Sequence, residues 1–490
     1  MNDSDVVIGI DIGTSSVKAV AINNLGEEVY SWSQQISTDV VRPGWNEQDP
    51  QQWWEASCYV LKKITSSIDT HSIRSIGLSG QMHSPAFLDR DDNIIRPSIL
   101  WNDGRTSSQC EQIYELLGPS IIKKIIGNPI LEGFTAPKLL WLEQNEESNF
   151  NKLGSFLIAK DYIAFRLTGE KCTEPSDASG TVLLDINTLD WSQKIVEGLA
   201  LQNLTLPDIR KSTEVIGEVS KRASEFTGLM IGTPVVLGGA DNAAAAISTG
   251  SIHENVCQIS LGTSGTVLQS TVEPVVDDGL RLHSFSHCVE NRWYTMGVTL
   301  SAGASFSWFA DKVIAKSYEY RKLDEEADAV NAGSDGLVFL PYLNGERTPH
   351  NDPDVRGAFL RVDTSHSRGH IVRSIMEGVA FSIRDVLELM ETIVKPADTF
   401  VVTGGGAGSK VWTQILADVI GENIFNVESS SGPSYGAALL SAVGTGWFKS
   451  VEDAVNEWVV LSDYIASNNV HRELYEESYS YYKRAYSRLR

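Results

Sequence analysis

The residues that could do chemistry begin at Asp11-Ile12-Gly13-Thr14-Ser15. Glycine lets a backbone come close to a phosphate, Thr14 and Ser15 add hydroxyl donors, and consecutive turn N–H groups can cup an anion. Asp11 would face the same space. Its carboxylate would repel a phosphate unless Mg²⁺ lay between them, directly or through water. A single turn of this kind is also what an ordinary hairpin with a capping Asp looks like. A second copy changes the reading. Residues 258–264 repeat residues 9–15 at a constant offset of 249, with Ile10/Ile259, Gly13/Gly262, Thr14/Thr263 and Ser15/Ser264 identical. Ser260 stands where the first copy has Asp11, so only one wall of a duplicated nucleotide site would offer a carboxylate.

Three further groups could complete such a site. Asp241 follows Gly238-Gly239-Ala240 and precedes Asn242 and four alanines. Asp at a strand–helix junction is commonly a helix cap. Held at a cleft by close-approaching backbone, it could also accept a proton from a hydroxyl. Phosphoryl transfer from ATP needs mainly positioning, charge neutralisation and one base for the acceptor. The run from Gly404 to Ser409 follows the apolar stretch Phe400 to Thr403, and as a third glycine turn it suits the adenosine end of ATP. Ser79-Gly80-Gln81-Met82-His83 ends a strand where open α/β sheets bind ligands. Downstream, Trp101-Asn102-Asp103-Gly104-Arg105 supplies an aromatic plane, an amide and charged groups, the mixture that binds polyols. Glu346-Arg347-Thr348-Pro349-His350 fits a site loop and an ion-paired turn equally well.

These groups need positioning elements. Val6–Ile12 and Val17–Ile22 read as strands, and with the turn at Asn23–Gly26 they open a β-meander. Asp49-Pro50 starts a helix, with Asp as N-cap and Pro at the first position. Ile73–Leu78 and Pro234–Leu237 read as strands, the second running into an alanine-rich helix, and another helix starts near Lys410. Trp53, Trp54 and Trp141 read as packing residues. Tyr475 to Arg490 reads as a polar, Tyr-rich helix. The echo near mid-chain predicts two topologically similar halves, divided near residues 249–255, each presenting a Gly-Thr-Ser turn to a shared cleft.

The composition bounds the function. The 490 residues suit two large domains, and 42% hydrophobic with 21% charged residues can bury a sizeable core. The net charge of −23 argues against a sequence-independent clamp on nucleic acid or an anionic membrane. Five scattered cysteines without a CxxC motif point to a reducing compartment, and the cytoplasm is the expected location. The first residues lack a secretory pattern, and no apolar run is long enough to span a bilayer.

At these motifs the chain resembles the FGGY carbohydrate kinases, over about Val6 to Gly446. GIDIGTSSVK at 9–18, EQDPQQWW at 47–54, PKLLWL at 137–142, GGADNAAAA at 238–246, SLGTSG at 260–265 and GGGAGS at 404–409 carry the resemblance, with SGQMH at 79–83, LWNDGR at 100–105 and PYLNGERTPH at 341–350. It implies an α/β chain of two actin/hexokinase-like (ribonuclease H-like) domains, 1–250 and 251–490, flanking a cleft for ATP and sugar. It implies Asp241 as general base and Asp11 as the acid near Mg²⁺. Met82, His83, Trp101, Asn102, Asp103 and Asp241 would meet the sugar. Thr14, Ser15, Gly262, Thr263, Gly405, Gly406 and Ser409 would touch ATP. The implied reaction is phosphorylation of D-xylulose to D-xylulose 5-phosphate. Other polyols or ketoses (ribulose, gluconate, glycerol) are the alternative substrates, and an actin-like ATPase is the alternative class. No nucleic acid or membrane partner is expected, and the expected assembly is a homodimer. Two departures stand out: Arg361 where the family usually has glycine, and Ser84-Pro85 where a glycine is common.

Overall fold

The computed structural model describes residues 4–315, 319–428 and 431–489. The first sheet is built on β1 (Val6–Ile12), β2 (Ser16–Asn23), β3 (Glu28–Gln35), β4 (Ile73–Gly80), β5 (Val215–Glu218) and β6 (Pro234–Ala240), in the order β5-β6-β4-β1-β2-β3. The second is built on β7 (Val256–Leu261), β8 (Gly265–Thr271), β9 (His283–Ser286), β10 (Trp293–Thr299), β11 (Thr399–Thr403) and β12 (Ile424–Asn426), in the order β9-β10-β8-β7-β11-β12. In each half the first strand pairs antiparallel with the next strand and parallel with a later one, β1 with β2 and β4, β7 with β8 and β11. The echo read from the sequence is therefore a duplicated topology. It is not perfect: Ile12 pairs with Val17 while Leu261 pairs with Gly265, so the second turn is one residue shorter.

Local chemistry accounts for these elements. β1 is apolar except at Asp11 because both faces are covered, and Asp11 is its only residue that is not buried. Helix α1 (Pro50–Thr65) starts as expected, with the Asp49 side chain accepting from the N–H of Gln51. Its apolar stripe buries Trp53 and Trp54. Helix α2 (Asp241–Ser248) follows β6, α3 (Arg368–Met390) packs under the second sheet, and α4 (Lys410–Ile420) follows β11.

Helix α5 (Pro433–Gly444) comes from the second half of the sequence but packs on β1, β4 and α2 of the first. Small residues allow it. A Cβ on Gly9 would stand 1.9 Å from Ser434 O, and one on Gly77 2.0 Å from Ala437 O. Helix and sheet thus meet backbone to backbone, and α5 also packs closely on α2, where a Cβ on Gly436 would stand 1.9 Å from Ala244 O.

The last helix, α6 (Asn469–Leu489), is less polar than the sequence suggests. Tyr475, Tyr479 and Tyr482 are buried in the second core; Tyr479 donates to Asp385 at 2.6 Å and Tyr342 donates to Tyr482 at 2.8 Å. Arg490 lies outside the described residues. Arg361 adopts φ of +64°, the left-handed conformation that favours glycine. The turn keeps the shape a glycine would give it, and the side chain lies with its guanidinium 5.5 Å from the Tyr481 ring centroid. The five cysteines are all buried and unpaired. Among the described residues, no helix is long and apolar enough to cross a membrane.

Candidate active site

Asp11 and Asp241 lie on the same sheet. Asp11 is the second-last residue of β1, opposite Lys18 of β2 and Ser79 of β4. Asp241 directly follows β6, which pairs in parallel with β4. Burial pushes the Asp11 pKa up to about 7, the Asp241 charge adds to the rise, and Lys18 opposes it. Burial also raises Asp241, to about 6, against the N–H of Asn242. Asp11 Oδ1 is buried without a hydrogen-bond partner. A buried anionic oxygen left this way, beside a second carboxylate, suits a divalent cation.

Asp241 is not the N-cap of α2. Ala240 holds that position and makes no side-chain cap bond. The Asp241 carboxylate instead accepts from Asn242, from its N–H at 2.7 Å and its Nδ2 at 3.1 Å. One oxygen is tied down and the other is left for chemistry. What fixes the junction is a group of residues that the motif reading missed. Lys160 is fully buried among Asp161 (2.5 Å), Asp177 (3.2 Å) and Glu174 (3.4 Å). Glu174 accepts from Ser176 Oγ at 2.7 Å, and Ser176 Oγ accepts from the N–H of Ala240 at 2.9 Å. A chain of polar contacts thus ends one residue before Asp241. The only sequence signal was Lys160-Asp161 inside an otherwise apolar stretch.

The glycine turns of the second half meet each other. Gly404, at φ of +84°, lies so close to the Leu261–Gly262 peptide that a Cβ would come 2.7 Å from Leu261 C. The Gly262 and Thr263 carbonyls are occupied by the N–H groups of Gly303, Ala302 and Ala304. Thr263 is exposed, and a Cβ on Gly405 or Gly408 would meet nothing within 4 Å. Gly406 packs on Leu261, and Ser409 caps α4 by accepting from the N–H of Trp412 at 3.1 Å. Ser409 therefore has a structural task besides any ligand contact. In the first half, Ser15 is exposed and Thr14 partly so.

The polar end of β4 is built around His83, which sits at φ of +68°. Its carbonyl accepts from Thr135 Oγ1 at 3.1 Å and from the buried Lys138 at 2.8 Å. Its Nδ1 lies 2.7 Å from Gly180 O, so Nδ1 carries the proton and donates. Burial lowers the His83 pKa to about 3. The ring is thus neutral, and Nε2 is an acceptor only. Met82 is buried, its sulfur 3.9 Å from both Asn242 Nδ2 and Tyr294 OH. Met82 and His83 are thereby joined to the residue beside Asp241.

The aromatic segment divides into two tasks. Trp101 is 38% exposed and donates from Nε1 to Thr14 Oγ1 at 2.8 Å. Asn102 is exposed, with its carbonyl held by Asn46 at 2.8 Å. Asp103 belongs to the scaffold. It is buried, and it accepts from the N–H of Asn46 and from Arg105 at N, Nε and Nη2, all within 2.9 Å. Its acceptor positions are filled from within the protein, and Arg105 in turn lies over Trp45 at 4.2 Å and Trp141 at 5.0 Å. Ser84, one of the two departures, serves this segment: its Oγ accepts from the N–H of Trp101 at 3.1 Å.

Two sheets of one duplicated topology, each with a glycine turn after its first strand and the first also carrying the two acids, define the class: an α/β protein of two similar halves. Residues 6–248 match the N-terminal domain of the FGGY family of carbohydrate kinases, and residues 257–445 match its C-terminal domain. The chain belongs to that family, and its actin/hexokinase-like fold and dependence on ATP follow from the membership. A xylulose kinase of Bacillus subtilis strain 168 is 37% identical over 485 residues, covering 98% of this chain and 96% of the relative. The crystal structure of a xylulose kinase from Brucella ovis superposes with a TM-score of 0.91 at 32% identity, covering 99% of both chains. A gluconokinase of Bacillus subtilis strain 168 is 30% identical over 468 residues, covering 92% of this chain and 90% of the relative.

Proposed function

We infer that this chain transfers the γ-phosphoryl group of ATP to the terminal hydroxyl of D-xylulose, giving D-xylulose 5-phosphate and ADP. The relatives with the higher identities support the substrate. The observation that carries the chemistry is the Asp241 carboxylate, anchored on one oxygen by Asn242, whose amide in turn touches Met82 beside His83. A sugar hydroxyl placed against the second oxygen gives its proton to Asp241 as its oxygen attacks the γ-phosphorus and ADP leaves. Met82, His83, Trp101 and Asn102 line the sugar, and Asp103 holds that segment through Arg105. Thr14 and Ser15 from one half, and Gly262, Thr263, Gly405, Gly406 and Ser409 from the other, hold ATP by turn N–H groups and hydroxyls. Asp11 would hold Mg²⁺, directly or through water, and the ion would supply charge neutralisation on the phosphates.

We assign the domain division to residues 250 and 251, the working state to a homodimer, and the location to the cytoplasm; the buried, unpaired cysteines support the last. The activity is tested by ADP release against D-xylulose, ribulose, gluconate, glycerol and no sugar. D-xylulose should give the highest kcat/KM. A higher value for another acceptor would replace the substrate, and sugar-independent turnover would make the chain an ATPase.

A further inference from the structure

The Glu346-Arg347-Thr348 turn is a motif to which the reaction above gives no task. Its two charges do not pair. Glu346 holds its own turn: Oε2 accepts from Thr299 Oγ1 at 2.6 Å, and Oε1 from the N–H groups of Leu300 at 2.9 Å and Arg347 at 2.8 Å. Thr348 fixes the other side, accepting from the N–H of Val298 at 3.1 Å and donating to Arg281 O at 2.9 Å. Between these anchors, the Arg347 guanidinium has no hydrogen-bond or ion-pair partner among the described residues. Glu132 and Glu346 act on it only from beyond ion-pair range, and burial holds its pKa below the ordinary guanidinium value.

Arg347 faces a cavity of about 50 Å³, which it lines with His83, Trp101, Phe134, His283 and Phe285. That volume takes a few water-sized groups rather than a whole pentose. The Arg347 charge acts on His83 and on His283. His83 lines this cavity with Arg347 and Asp241 does not, so the guanidinium sits at the His83 end of the site.

The two sides of this cavity are complementary. With its Nδ1 proton given to Gly180 O, neutral His83 offers only the Nε2 lone pair. Arg347 offers only N–H donors. An acceptor facing a fork of donors matches a hydroxyl next to a carbonyl, the hydroxyl donating to His83 and the carbonyl accepting from Arg347. A 2-ketopentose has that pair at C1 and C2. One that reacts at O5 must present its ketone free, because closing the furanose ring consumes O5.

The geometry points to Arg347, carried by the second half, as the residue that reads the C2 ketone of an open-chain ketose, with His83 as its acceptor partner at the C1 hydroxyl. This rests on the ketopentose reading above. It also gives the sugar a contact on each half, so that sugar alone favours closure.

The test compares the native chain, R347K and R347M. It measures kcat/KM for D-xylulose, the Ki of a 2-deoxypentitol (the same carbon chain with no oxygen at C2), and KM for ATP. Charge-assisted hydrogen bonds of this kind make a difference of roughly 10- to 150-fold. R347M should lose that much on D-xylulose, while its Ki for the 2-deoxypentitol and its ATP KM stay within a few-fold of native. R347K, which keeps the charge but not the fork, should fall between. With 1-deoxy-D-xylulose, R347M should still lose and His83→Asn should not. Melting temperatures identify a variant that fails to fold, in which case R347K carries the comparison. Equal losses on D-xylulose and the 2-deoxypentitol, in a protein whose native chain phosphorylates D-xylulose, would overturn this inference alone. A native chain with no xylulose-dependent ADP release would overturn the ketopentose reading and this one with it.

Discussion

Trp101 Nε1 donates to Thr14 Oγ1 at 2.8 Å, so the exposed ring of the aromatic segment is tied to the first Gly-Thr-Ser turn. Residues 87 positions apart thus join the proposed sugar and phosphate regions of one half. Removing the bond should disturb both substrates. Trp101→Phe and Thr14→Val should each lower kcat/KM for sugar and for ATP by about 2- to 12-fold, the range of one neutral hydrogen bond. The double variant should lose little more than either alone. Fully multiplicative losses in a double-mutant cycle would show that the bond does not couple the two regions.

The pH profile should have an acid limb and no histidine in it. Burial places Asp241 near 6, and a base must be ionised to act, so kcat/KM should fall at least tenfold per pH unit below 6 and level off only above about 8. Asp11, near 7 beside it, titrates with Asp241, and the limb belongs to the pair. His83, near 3, stays neutral throughout. A kcat/KM profile that stays flat from pH 7 down to pH 5 would remove Asp241 from the base role.

The same burial sets a stability sign. The folded state favours the neutral Asp241 carboxyl. That preference is fully present below the unperturbed value of 3.8 and is gone once the pH passes 6. Above pH 6 the ionised group costs stability, and Asp241→Asn should melt at the same temperature or higher at pH 8. Calorimetry of the two proteins checks this, and a clear drop in Tm would contradict the burial account.

His83 must be replaced with its backbone in mind. At φ of +68°, alanine adds left-handed strain to the lost acceptor, whereas asparagine tolerates the conformation. His83→Asn should cut kcat/KM for D-xylulose by roughly 5- to 150-fold with ATP affinity little changed. His83→Ala should in addition melt lower. Equal kinetic losses on every sugar would make His83 a structural residue.

The sequence exposed what strands and glycines announce directly. β1 ends at Ile12 as the apolar run does, and the Gly13/Gly262 echo marked the duplicated hairpins. It could not expose contacts that depend on three dimensions. Nothing adjacent to Asp103 says that Asn46 joins Arg105 in filling its carboxylate, and nothing adjacent to Arg347 says that Glu346 turns away from it. The Lys160 cluster draws on residues 160 to 177, which neighbour one another only after folding. The crossing of α5 was written in Gly9 and Gly77, but glycine in a strand has several causes, and only the packed helix shows which one applies.

The halves should close on their ligands. The glycine turns proposed for ATP lie on different sheets, and water left in an open cleft competes with the sugar as acceptor. Small-angle scattering should show a smaller radius of gyration with D-xylulose plus a non-hydrolysable ATP analogue. An unchanged radius with both bound would contradict closure.

The central claim is that Asp241 takes the proton of a sugar hydroxyl during transfer from ATP. It is tested most directly by measuring ADP release from the native chain and from Asp241→Asn, each in Mg-ATP with and without D-xylulose. The account predicts release from the native chain only with sugar, and a fall of about 10²- to 10⁴-fold in the variant while ATP binding persists. A variant within a few-fold of native, or a native chain that releases ADP equally without sugar, would contradict it.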